Sequence, residues 1–191
     1  MRNMAISIIA MMVLAACNQG GGAAAGGDSK AASGESAQTS SGGGDGKEII
    51  IGFSAPLTGP QSHYGEDYKS GVQMAIDEAN EQGITINGGP AKFKLDAQDD
   101  GADPKQATQV AERFVDLKVA GVIGHFNSGT TIPASKVYEE NNIPNVSMAT
   151  SPVLTQQGFK TVFRSMTSDS QQGLVLGKYA VEKLGYKTVG I

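Results

Sequence analysis

From Glu48 onward the chain alternates between a strand-like and a helix-like hydrophobic period, and this alternation restricts the fold more than any other feature. Glu48 to Ala55 is an Ile-rich run that reads as a buried strand, broken by Pro56-Leu57-Thr58-Gly59-Pro60. A helical period begins at Gly65, with Tyr68, Val72, Ala75, Ile76 and Ala79 on one face, and Gly83 ends it. Asn87-Gly88-Gly89 marks a turn, after which Lys92 to Asp99 alternates with Phe93, Leu95 and Ala97 on one side, as a strand does. Asp103-Pro104 opens a second helix with an N-cap carboxylate and a Pro at the first helical position. Its buried stripe is Ala107, Val110, Ala111, Phe114 and Val115.

Ala120 to Gly124 then reads as a short buried strand and Thr131 to Asn141 as a helix, followed by strands at Pro144 to Ala149 and Thr161 to Arg164. Ser168 or Asp169 caps a last helix, with Gly173, Gly177, Ala180, Val181 and Leu184 expected inward and Gly185 as its stop. Thr188 to Ile191 begins one more strand. Strands and helices in this order predict βαβ units: an α/β fold whose parallel sheet carries helices on both faces. In such sheets ligands bind beyond the carboxyl ends of the strands, so the loops after each strand are where function is sought.

The first 47 residues follow different rules. Arg2, the apolar stretch Met4 to Leu14, and Ala15-Ala16 have the layout of a secretory signal. Leu14-Ala15-Ala16-Cys17 resembles the bacterial lipobox, which implies that Cys17 is acylated and anchors the protein to a membrane. Ten of the 26 glycines fall between Gly20 and Gly46, so Asn18 to Lys47 reads as a flexible tether. Cys17 is the only cysteine, which rules out a disulfide or a multi-thiolate metal site within the chain. A net charge of -4 gives no footprint for nucleic acid, and no cofactor is called for.

Three loops stand out. Ser54 to Gly65 follows the first strand, His125-Phe126-Asn127-Ser128-Gly129-Thr130 the third, and Met148-Ala149-Thr150-Ser151-Pro152 the fourth. The last two are rich in hydroxyls and contain neither Lys nor Arg. Free N–H groups at a helix start, with hydroxyl donors, can hold a single negative charge without a cation. Neither G-x-G-x-x-G nor G-x-x-x-x-G-K-[ST] occurs, so nucleotide chemistry finds no motif.

Asp99-Asp100-Gly101-Ala102-Asp103-Pro104-Lys105-Gln106-Ala107 resembles a signature of the leucine/isoleucine/valine-binding periplasmic proteins, the substrate-binding proteins of branched-chain amino acid ABC transporters. Leu57-Thr58-Gly59-Pro60 with Tyr64-Gly65, Gly121-Val122-Ile123-Gly124-His125, Pro133-Ala134-Ser135, Ala149-Thr150-Ser151-Pro152, and Phe163-Arg164 with Asp169, Gln172 and Gly173 follow in the same order. The resemblance runs from Lys47 to Ile191. It implies a periplasmic-binding-protein-like fold, with a first lobe over 48–165 and a crossover into a second lobe over 166–191. Family members are considerably longer, and Ile191 falls inside what reads as a strand, so a truncated second lobe is expected.

The resemblance further implies that Ser128 and Thr150 bind an amino-acid carboxylate. The Met148 carbonyl and the Thr150 hydroxyl would take the ammonium, Tyr64 and Phe126 would line the side-chain pocket, and Ala149 belongs to the same set. Some relatives have cysteines at the positions of Ala102 and Asn127, and a smaller residue at that of Met148. The implied partners are a small amino acid, ABC permease subunits and the lipid anchor, at the extracytoplasmic side of the cell envelope.

The remaining candidates read as structural. Asp99 and Asp100, adjacent at a strand end, point in opposite directions and fix loops. His125 is a hydrogen-bonded loop residue, on a different loop from His63, and a metal site or Cys–His pair is unsupported. Arg164 and Asp169 form a pair near the hinge. A ligand-sensing lipoprotein of the same fold is the alternative function. A secreted α/β hydrolase using Ser128 is a weaker one, because G-x-S-x-G and a Ser-His-acid set are missing.

Overall fold

The computed structural model describes residues 46–188 and 190; Cys17, the signal segment and the tether up to residue 45 lie outside them. Six strands form one sheet in the order β2-β3-β1-β4-β5-β6. These are β1 Lys47–Ala55, β2 Thr85–Ile86, β3 Gly89–Asp99, β4 Gly121–Gly124, β5 Asn145–Ser147 and β6 Val162–Arg164. All neighbours pair in parallel except β2, which lies antiparallel on β3. The helices are α1 Ser62–Glu81, α2 Pro104–Asp116, α3 Ser128–Glu140, α4 Val153–Gln156 and α5 Asp169–Lys178, and a π-helical turn Tyr179–Lys183 continues α5.

The alternation of the strands distributes these helices. Ile51, Phe53 and Ala55 of β1 face α1, together with Phe93, Leu95 and Ala97 of β3. Ile50 faces the other way, into the core that α2 and α3 close with Phe114, Val110, Ala134 and Tyr138. Gly52 points to the same side, where a Cβ would sit 3.1 Å from the Phe114 ring. Helices therefore cover both faces, as the βαβ pattern predicts.

Several boundaries differ from those the sequence suggests. α1 begins at Ser62, not Gly65, because Gly65 serves a different purpose: it lies under the Pro56 carbonyl, where a Cβ would come within 2.1 Å. Ala75 is exposed rather than part of the buried stripe of α1. Asn87-Gly88 is a turn as expected, with φ of 53° and 79°, and the short strand β2 that precedes it is additional. α3 starts at Ser128, three residues before Thr131, because the Asn127 carbonyl collects the N–H and hydroxyl groups of both Thr130 and Thr131.

The last helix departs most. Ser168 caps it, accepting from the Gln171 N–H, yet Gly173, Gly177, Val181 and Leu184 are exposed and α5 buries no residue. Ala180 is half-buried. No described strand or helix supplies an apolar face opposite this stripe. Of the strand expected over Thr188 to Ile191, only Thr188 and Gly190 are described, and neither is in a strand.

Candidate functional site

The strand order reverses at β1: the chain first adds β3 on one side and then crosses over to add β4 on the other. The carboxyl ends of β1 and β4 are thus a topological switch point, where the loops that follow diverge and leave a crevice. Beside it, joined to the loop after β1 through Asn127 and Gln61, is a hollow of about 350 Å³ lined by Phe126, Asn127, Ser128, Met148, Thr150 and Met166. It takes side chains from the loops after β4, β5 and β6.

Its donors are set by the start of α3. Asn127 is the N-cap residue but makes no side-chain cap; its amide Nδ2 instead donates to Gln61 Oε1 at 2.8 Å. The buried Asn127 Oδ1 finds no partner among the described residues. The N–H groups of Ser128 and Gly129, at the first two helical positions, form no hydrogen bond among the described residues either. Ser128 Oγ accepts from the Ser151 N–H at 3.1 Å, which leaves its own O–H to donate. The Thr150 carbonyl is taken by the Asp169 N–H, while the Thr150 hydroxyl has no partner among the described residues. A neutral cradle results, with backbone and hydroxyl donors at the positive end of a helix dipole.

The apolar wall is Phe126, with Tyr64 stacked on it at 5.5 Å between ring centroids and 13° between planes. Tyr68 packs behind, edge-on to Phe53 at 5.2 Å, and burial pushes its phenol up to about 12, so it stays neutral. Ser128, Thr150, Met148 and Phe126 therefore meet in one hollow, and Tyr64 stands at its rim. Ala149 does not line it. That residue is buried beneath, and its N–H donates to Ser147 Oγ at 3.0 Å.

Two lining residues, Asn127 and Met166, escape the reading from sequence. Asn127 was legible only as a loop residue beside Ser128, and Met166 reaches the hollow because β6 brings its following loop alongside β5.

The loops are held from outside the hollow. Asp99 accepts from the Leu57 N–H, the Thr58 hydroxyl and the Gly101 N–H, which ties the loop after β1 to the end of β3. Desolvation pushes the Asp99 carboxyl up, but these donors, led by Thr58, outweigh it and hold it below its ordinary value of 3.8. Asp100 faces the opposite way and is fully buried, accepting from Ser54, His125 and the Ala102 N–H. Both aspartates fix loops, as their position predicts. Arg164 does not pair with Asp169. Its guanidinium donates to the Ser151 carbonyl and Thr155 Oγ1, because the Thr150–Ser151 loop lies nearer than the start of α5.

A second hollow of about 330 Å³ lies between α1 and β3, lined by Lys69, Ser70, Gln73, Met74, Asp77, Leu95 and Ala97. It sits on a sheet face rather than at the strand ends and has no helix N-terminus, so it lacks the donors that distinguish the first.

The family model for periplasmic binding proteins matches residues 48–191. The chain belongs to that family. Among its relatives is the Leu/Ile/Val-binding protein homolog 1 of Brucella abortus, 46% identical over 133 residues, which are 69% of this chain and 35% of the relative. The leucine-, isoleucine-, valine-, threonine- and alanine-binding protein of Pseudomonas aeruginosa is 38% identical over 144 residues, 75% of this chain and 38% of that one. Among solved structures, a branched-chain amino acid transporter substrate-binding protein of Streptococcus pneumoniae in complex with isoleucine aligns with a TM-score of 0.67 and 32% identity. That alignment covers 73% of this chain and 39% of the other. This periplasmic binding protein chain thus spans little more than a third of the length of the relatives it matches.

Proposed function

We propose that this chain forms the first lobe of an extracytoplasmic receptor that captures a branched-chain or similar small amino acid and delivers it to an ABC permease. The observation that carries this reading is the neutral cradle at the start of α3. Ser128 and Gly129 N–H groups with the Ser128 and Thr150 hydroxyls suit one carboxylate, and Phe126 with Tyr64 suits an aliphatic side chain. The names of the relatives point to the same ligand class. On this reading 48–165 is the first lobe, 166–191 leads into a second, and the Met148 carbonyl and Thr150 hydroxyl receive the ammonium. Ala149 acts from below, by holding the loop between them.

Binding in such a site closes the two lobes over the ligand, which removes water and strengthens each charged hydrogen bond. Calorimetry of the full-length protein with leucine, isoleucine and valine, beside their amides, tests the assignment. The acids are expected to bind and the amides to bind poorly, since only the acids carry the charge the cradle suits. Equal affinity for acid and amide would remove the carboxylate from this reading.

Cys17 is proposed as the lipid-bearing residue, with the residues between it and β1, which begins at Lys47, as a tether that lets the lobe stand off the membrane. Cys17→Ser is expected to release the protein from membranes, and retention there would remove the anchor.

A further inference from the structure

Beneath the hollow lies a polar cluster that the binding reading does not use. His125 Nδ1 is 2.7 Å from Asp100 Oδ2 and His125 Nε2 is 2.9 Å from the Tyr138 hydroxyl, and all three side chains are fully buried. The His125 carbonyl accepts from Ser147 Oγ at 2.7 Å and lies 3.1 Å from Thr131 Oγ1. One residue is thereby joined to the end of β3, the first turn and the body of α3, and the end of β5.

We propose that His125 is the positioning residue of the binding site, holding the loop of Phe126 and Ser128 in register with the loop of Met148 and Thr150. This rests on the amino-acid-binding reading of the hollow. The link between the two loops is Ser147: its hydroxyl donates to the His125 carbonyl and accepts the Ala149 N–H. A shift of His125 is therefore felt on both sides of the cradle.

The partners assign the ring. The Asp100 carboxylate only accepts, so Nδ1–H donates to it, and on this proposal Nε2 accepts the Tyr138 O–H. Burial, and after it the charge of Asp100, push the Tyr138 phenol well above its ordinary value, which keeps it a donor. The backbone entering the loop is equally constrained. Gly124 has φ of 125°, and a Cβ there would meet the Ser54 carbonyl oxygen at 2.1 Å. An apolar side chain of similar volume at 125 could fill the same space, but it could not set orientation through two ring nitrogens.

The test uses the full-length protein and two variants: Tyr138→Phe, which removes only the hydroxyl, and Ile76→Val, a buried change on α1 in the cluster on the opposite face of the sheet from Tyr138. Tyr138→Phe is expected to weaken leucine binding by about tenfold, through faster dissociation, as the loss of a buried hydrogen bond allows. Ile76→Val is expected to change it by no more than about twofold, because sites that share no contacts are nearly independent. Nitrogen-15 spectra of His125 should show the Nδ1–H tautomer in both proteins, held by Asp100, with the Nε2 resonance shifted in Tyr138→Phe, where its hydrogen bond is lost. Unchanged affinity in Tyr138→Phe, or affinity lost in both variants in proportion to melting temperature, would overturn the proposal, as would an Nε2–H tautomer in the wild type. Wild-type protein that binds none of the amino acids would instead overturn the functional reading, and the tautomer spectrum would still decide the network.

Discussion

Asp103 and Ser168 cap their helices in the same way, each side chain accepting the N–H three residues on, yet α2 and α5 meet different surroundings. α2 buries Ala107, Val110, Ala111 and Phe114 against α3 and β1. α5 carries Leu174, Val175 and Leu176, which are 59%, 58% and 67% exposed, and the turn after it leaves Tyr179 56% exposed. Local signals that start a helix are thus no guide to what the helix packs on. In α2 the apolar residues recur on one face. In α5 three large ones are consecutive, a pattern that marks two partners or none. The proposed second lobe would supply partners for α5 that the described residues do not.

The largest effect expected from this contrast concerns the two stripes. Phe114→Ala should lower the unfolding free energy by about 3–5 kcal/mol, the usual cost of an aromatic cavity. Leu176→Ala in the 191-residue chain should change it by less than about 0.5 kcal/mol, as an exposed position does. In a longer chain with a second lobe, Leu176→Ala should instead cost about 2–5 kcal/mol. Chemical denaturation of both lengths reads these values directly. A costly Leu176→Ala in the short chain would break the comparison.

What the sequence revealed followed the same division. β1, β3 and α2 were legible because their apolar residues keep one period and their ends carry unambiguous chemistry, Pro56 for β1 and Asp103-Pro104 for α2. Two starts were obscured by residues that serve tertiary contacts. Gly65 reads as a boundary but is a close approach to Pro56, and Ser128 reads as a loop although Asn127 has already gathered the first helical turn. The two-residue β2 is too short to carry any period. In the site, the loops that carry Ser128 and Thr150 could be found because they follow strands in an α/β order, and the family resemblance singled out these two hydroxyls. Asn127 and Met166 could not, since their place depends on which loops the sheet order brings side by side.

A smaller effect is expected at the edge of the site. Asp99 has a lowered folded pKa, so its contribution to stability is present above the unfolded value near 3.8 and is lost as pH falls through the folded one. Because Asp99 is partly exposed, screening by solvent limits this to a fraction of about 1 kcal/mol. Thr58→Val, which removes one of its donors, should destabilise slightly at pH 6 and progressively less as the pH drops below the ordinary carboxylate range. Urea midpoints for the two proteins across that range provide the comparison, and a difference that grows toward acid would contradict the sign.

The central claim is where the ligand sits, and the backbone amide spectrum of the full-length protein during titration with isoleucine tests it most directly. The amides of Ser128, Gly129 and Thr150 are expected to move first and furthest, because the free N–H groups at the start of α3 and the Thr150 hydroxyl meet at the hollow between the loops after β4 and β5. Shifts confined to Lys69, Gln73 and Asp77, around the hollow between α1 and β3, would contradict the account.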